Sequence, residues 1–144
     1  MRPFPSFIFL STNPIWGGSE VLWSKTLAAI HEHQIEVAAA TFYGADQLQQ
    51  FTQVNFDHFD LKNRFQMPSR LERVSARISN QSAEPKDLFK DWLEWKRPSL
   101  LVISQGNNTE GLEWMRLATQ LQIPFVTLTH LVVEGVWPGL SDSV

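Results

Sequence analysis

Two adjacent glycines, Gly17 and Gly18, follow a short apolar run, Phe7-Ile-Phe-Leu-Ser11, and precede Ser19 and Glu20. A buried strand that ends in residues without a Cβ lets a phosphate or sugar reach the main chain, and a helix starting there points free N–H groups at it. The bland alternative is a pair of glycines that only turns the chain from strand to helix. Neither G-x-G-x-x-G nor a G-K-[ST] sequence is present, so the nucleotide fingerprints are missing.

His130, with Thr129 before it and Glu134 four residues on, is the second candidate. An imidazole donates from either nitrogen and carries charge near an anion, or it simply caps a strand end on the main chain. Asn107, Asn108 and Thr109 offer donors and acceptors to hydroxyl groups, but one of them is better read as the N-cap of a helix beginning near Glu110. Trp16 and Trp137 fall in predicted loops, where an aromatic face can stack on a sugar ring or cover a joint with another domain. Trp92, Trp95 and Trp114 lie on helical stripes and read as core. Ser104-Gln105-Gly106 lacks the G-x-S-x-G elbow, which leaves a hydrolase triad with His130 unsupported. His31 and His33 lie two apart at a helix end, and no carboxylate spacing nearby suggests a metal site; no metal and no cofactor is expected.

The elements that position these residues alternate strand and helix, the pattern of an α/β fold with a mainly parallel, open, Rossmann-like sheet. Strands are predicted at 7–11, 35–42, 54–61, 100–104 and 124–129. Helices follow Gly18, Pro68, Lys86 and Glu110. Right-handed crossovers favour the strand order 3-2-1-4-5 with helices on both faces, so the loops after Ser11, Ser104 and Thr129 face one crevice.

The chain has 144 residues, 43% of them hydrophobic, and reads as a single folded unit. No cysteine is present, the apolar run near the N-terminus ends at Leu10, and no stretch reaches the roughly 20 apolar residues of a membrane span, so a cytoplasmic location is expected. The N-x-S/T matches at Asn80 and Asn107 then carry no meaning. The net charge is −3, but residues 61–80 carry +4 and leave −7 for the remainder, which excludes a nucleic-acid-binding chain. In that segment Arg70, Arg73 and Arg77 recur at helical spacing beside Leu71, Val74 and Ile78. Such a helix can touch anionic lipid weakly, although a solvated face is the simpler account.

Gly17-Gly18-Ser19-Glu20 after the opening strand, Ala28-Ala-Ile-His31 and Ile35-Glu-Val37 together resemble the N-terminal half of a family 4 type glycosyltransferase of the GT-B fold. So do Arg97-Pro98-Ser-Leu-Leu-Val102, Ile123-Pro-Phe-Val126, Thr129-His130 and the tail Glu134-Gly-Val-Trp137-Pro138. The likeness runs through most of the 144 residues, and residues 60–85 match nothing in particular. The resemblance implies retaining transfer of a sugar from a nucleotide-sugar donor to an acceptor held mostly by this half. It implies that His130 bonds a donor-sugar hydroxyl or phosphate and acts as the catalytic group, with Trp16, Gly17, Gly18, Ser19, Asn107 and Glu134 binding substrate. In such enzymes a second, nucleotide-binding half carries two glutamates eight residues apart, a spacing that no pair of glutamates here has. The expectation is a half that is inactive until a C-terminal nucleotide-binding half joins it in cis or trans. The alternative is a Rossmann-like binding or interaction module without chemistry. On the first reading Val132, Val133, Val136 and Trp137 form the apolar joint with the missing half.

Overall fold

A computed structural model describes residues 5–79, 82–107 and 109–131. Its core is a five-stranded sheet of β1 (Ser6–Ser11), β2 (Glu36–Thr41), β3 (Asp57–Asp60), β6 (Leu100–Asn107) and β7 (Phe125–Leu131), in the order β3-β2-β1-β6-β7. Every pairing in it is parallel. The expected order 3-2-1-4-5 is this order, renumbered by a two-residue antiparallel hairpin of β4 (Phe65–Gln66) and β5 (Lys86–Asp87) that sequence reading does not foresee.

Alternate residues of the sheet feed two cores, as a fully covered strand requires. Ile8, Leu10, Ala38, Ala40, Leu101 and Ile103 face α4 (Leu88–Lys96) and α5 (Leu112–Gln120), meeting Phe89, Leu93, Trp114 and Leu117. Phe9, Val37, Ala39 and Val102 face α1 (Gly18–Glu32) and α2 (Ala45–Thr52), meeting Trp23, Leu27 and Leu48. The short alanine run of β2, flanked by the larger residues of β1, lets helices approach closely on both sides. The helix α2 answers to no strong periodic signal; among its described side chains, Leu48 joins that core.

One expectation for the helices needs correction. Trp95 is 65% exposed, whereas Phe89, Leu93 and Lys96 are the buried residues of α4. The core stripe is therefore displaced by one residue from the predicted Leu88, Trp92 and Trp95. Lys96 belongs to that stripe: its aliphatic stem is buried while its Nζ reaches Glu36 at 3.2 Å and also Asp57 at the amino end of the sheet. Trp92 is half-buried against Phe59 and Phe89, and Trp114 is buried as expected.

The helix α3 (Arg70–Ile78) forms where the sequence suggests, with Ser69 accepting from the Glu72 N–H and Glu72 returning to the Ser69 N–H. It buries none of its side chains. Arg64, before the hairpin, is held by Asp87 at 2.9 Å and Glu113 at 2.8 Å and lies over Trp114. Among the described residues no helix is long and apolar enough to cross a membrane.

Candidate functional site

The carboxyl ends of β1, β6 and β7 lie side by side, with Ser11 in register with Ser104 and Ser104 with Leu128. Open parallel sheets bind ligands at this edge, beside the point where the strand order reverses. Here it is unusually polar for an interior: Ser11, Glu20, Ser104 and Gln105 are all buried.

The loop between β1 and α1 is organised by Glu20, which is 1% exposed. Its Oε1 accepts from Ser11 Oγ at 3.0 Å and from Asn13 Nδ2 at 2.7 Å, and its Oε2 accepts from the Gly17 N–H at 3.0 Å and from Ser19 Oγ at 2.7 Å. Burial alone would raise its carboxyl, but the donors of Ser19, Asn13, its own backbone and Ser11 outweigh that and hold it below the ordinary carboxylate range. In the sequence Glu20 stands out only as the residue that follows the double glycine and Ser19. The stronger signal lay in its spacing, three residues after an N-cap, where a glutamate returns to the cap's N–H.

Gly17 is the N-cap of α1 and Gly18 its first residue. A Cβ on Gly17 would come within 3.3 Å of Glu20 Oε2, whereas a Cβ on Gly18 would meet nothing within 4 Å. Thus Gly17 makes room for the buried carboxylate, and Gly18 borders open space. Part of the positive end of α1 is occupied by Glu20, and the outer surface at Gly18 and Ser19 stays accessible to a ligand. Trp16 is half-buried and stands edge-on to Tyr43, with ring centroids 5.5 Å apart. Burial pushes the Tyr43 phenol well above its ordinary range, the neighbouring Ser11 hydroxyl works against that rise, and the charge of Glu20 adds to it. Tyr43 Oη has no hydrogen-bond partner among the described residues.

The loop after β6 has its own carboxylate. Glu110 Oε2 accepts from the Gly106 N–H at 2.9 Å and from Thr12 Oγ1 at 3.3 Å, bridging to the first loop, while Oε1 accepts from Asn107 Nδ2 at 2.6 Å. Asn107 Oδ1 accepts from the Thr109 N–H at 3.0 Å and from Thr109 Oγ1. This local turn corrects one expectation, because the N-cap of α5 is Gly111 and not an asparagine or Thr109. Asn108 lies outside the described residues.

His130 is exposed near the end of β7, and its Nε2 shares a hydrogen bond of 3.0 Å with Ser104 Oγ. Ser104 therefore stands between the glycine loop and the imidazole: its backbone carbonyl accepts from the Thr12 N–H at 2.9 Å and its hydroxyl meets His130. Among the described residues no carboxylate bonds His130 in the way the third member of a hydrolytic triad would. Beside it, Gln105 Nε2 donates to Thr129 Oγ1 at 2.8 Å, and Gln105 Oε1 is buried without a partner among the described residues. Of the substrate-binding candidates, Trp16, Gly17, Gly18, Ser19 and Asn107 share this edge with His130. Glu134, with Val132, Val133, Val136 and Trp137, lies outside the described residues.

No group of three or more histidine, aspartate or glutamate side chains among the described residues has the arrangement of a metal site. A hollow of about 570 Å³ lined by Arg97, Pro98, Gln120 and Gln122 lies at the opposite, amino end of β6 and β7, away from the glycine loop.

No protein-family model matches the chain, and no curated protein does. Among solved structures, the glycotransferase of kitacinnamycin overlays 89% of this chain with a TM-score of 0.52 at 12% identity. The chain spans 31% of that protein's length. At this identity the likeness shows the fold alone: a Rossmann-like α/β arrangement of the kind found in a glycosyltransferase.

Proposed function

We propose that the chain is the acceptor-side, N-terminal half of a GT-B glycosyltransferase of the family 4 type, which transfers a sugar with retention from a nucleotide-sugar donor to an acceptor. One observation carries the reading: the accessible glycine corner of α1 and the Ser104-bound His130 flank the same carboxyl edge, on a fold that overlays a stretch of a glycotransferase about as long as this chain.

The diphosphate of the donor lies against the outer surface of Gly18 and Ser19, where main-chain N–H groups and the end of α1 favour negative charge. Glu20 keeps that loop in one shape, and its own charge is offset by four donors. His130, oriented by Ser104, donates a hydrogen bond to a sugar hydroxyl or phosphate. Trp16, Asn107 and Glu134 contact the acceptor. Catalysis then rests on holding two substrates in line and on donors preset toward the developing charge. The nucleotide itself is held by a second half, in cis or trans.

The test is turnover of nucleotide-sugars by the 144-residue chain alone and together with a nucleotide-binding half. Activity only in the joined state is the expected result, with loss of that activity in His130→Ala. Turnover by the chain alone would overturn the two-half reading.

A further inference from the structure

The strongest unpartnered surface lies away from the crevice, on α3 and the segment leading to it. Leu71 and Ile78 are each 83% exposed and Val74 is 48% exposed, and the nearby Phe65 and Met67 are exposed as well. Helical geometry of roughly 100° per residue sets Leu71, Val74 and Ile78 within an arc of about 60° and Arg70, Arg73 and Arg77 within an adjoining arc of about 60°. Glu72, Ser75, Ala76 and Ser79 occupy the opposite side. None of the three arginines forms an ion pair with a described residue, in contrast to Arg64, which Asp87 and Glu113 neutralise.

We infer that α3 is a docking helix for an anionic bilayer surface, lying in the headgroup layer with Leu71, Val74 and Ile78 inserted and the arginines against lipid phosphates. Charge complementarity argues for this occupant: Arg70, Arg73 and Arg77 against Glu72 make α3 +2 in a chain whose remainder is −5, so attraction to an anionic plane is local and orients the molecule. An apolar stripe edged by cations is the pattern of helices that lie in a membrane interface. A folded acidic partner would demand a matching register of pockets, whereas a bilayer accepts a short stripe at any register, and α3 makes no buried contact with its own fold that would fix one. The inference is independent of what binds at the crevice.

Flotation of the whole chain with vesicles tests it. Partition is expected to be several-fold higher on phosphatidylcholine mixed with phosphatidylglycerol than on phosphatidylcholine alone, and to weaken as salt rises. Each of Arg70→Gln, Arg73→Gln and Arg77→Gln should lower partition by about fivefold, and Leu71→Ser with Ile78→Ser should abolish it. Thermal unfolding should be unchanged in all of them, because these side chains lie outside both cores. The chain has no cysteine, so Ile78→Cys carrying an environment-sensitive dye gives a second readout, a blue shift on the mixed vesicles only. No partition on anionic vesicles, partition indifferent to all of these variants, or no blue shift would each overturn the proposal. So would equal retention of the chain by soluble polyglutamate, which would assign the surface to an acidic macromolecule.

Discussion

The two loops that flank the crevice are built alike and held differently. After β1, Glu20 gathers Ser11, Asn13, Gly17 and Ser19 around a carboxylate sealed from water. After β6, Glu110 gathers Gly106, Asn107 and Thr12 around a carboxylate that faces water. The bond networks are similar in extent, yet their weight is not. A buried donor that loses its acceptor has no water to replace it, and an exposed one does. Rigidity at this edge should therefore follow the burial of the acceptor rather than the number of bonds it accepts.

Removing each carboxylate is the most direct way to break the comparison. Glu20→Ala orphans donors in a sealed site and should cost about 3 kcal/mol, a large part of the stability of a small domain. Glu110→Ala should cost about 1 kcal/mol or less, because water takes its place. Urea unfolding measures both, and equal costs would reject the burial argument. Native-state hydrogen exchange sharpens it: the Gly17 amide should exchange more slowly than the Gly106 amide.

Gly111→Ala reaches the second loop from beneath. A Cβ there would overlap Gln105 Oε1 and come within 3.0 Å of the Met115 methyl group, so the buried amide of Gln105 must move and loosen its bond to Thr129. A loss of about 2 kcal/mol is expected in the same unfolding assay. A neutral result would mean that Gln105 leaves its place without resistance.

Much of the fold was legible because strands buried on both faces, β1 and β6, advertise themselves as continuous apolar runs, and the edge strand β7, which leaves Val126 and Leu128 exposed, still reads as a short apolar run after Pro124; all three fall within two or three residues of their expected limits. The hairpin of β4 and β5 was not, since four residues pairing across a twenty-residue separation leave no local pattern. Nor was the buried stripe of α4, where a lysine stem does the work of an apolar residue. At the site, the glycines and His130 stood out by residue type. What escaped was the polar interior beneath them: Ser11 and Ser104 look like strand ends, and nothing in the residue types of Glu20 and Tyr43 marks them as buried neighbours. Their joint role arises only when β1 and β6 lie side by side.

Acid separates the sealed carboxylate from the rest of the fold. The folded-state pKa of Glu20 lies below its unfolded value, so its stabilisation is fully present above about pH 4.3 and disappears as pH falls through the folded value. Unfolding free energy measured between neutrality and acid should therefore drop less steeply in Glu20→Gln than in the wild type. Parallel curves would show that the network is indifferent to the ionisation of its acceptor.

The smallest structural effect is expected from Gly18→Ala, and that makes it the cleanest probe of the crevice. Gly18 has the dihedral freedom of a glycine but no neighbour within 4 Å of a Cβ, and it is the first residue of a helix in which alanine is favoured. Stability should stay level or rise by a few tenths of a kcal/mol. If a ligand uses the exposed surface of this loop, the added methyl group stands where its oxygens approach the main chain, and nucleotide-sugar affinity in the joined protein should fall by about tenfold, close to 1.4 kcal/mol. Gly17→Ala is the opposite control, since its methyl group points at Glu20 and disturbs the fold before it touches a ligand. A Gly18→Ala protein that binds like the wild type would return the double glycine to a turn between strand and helix.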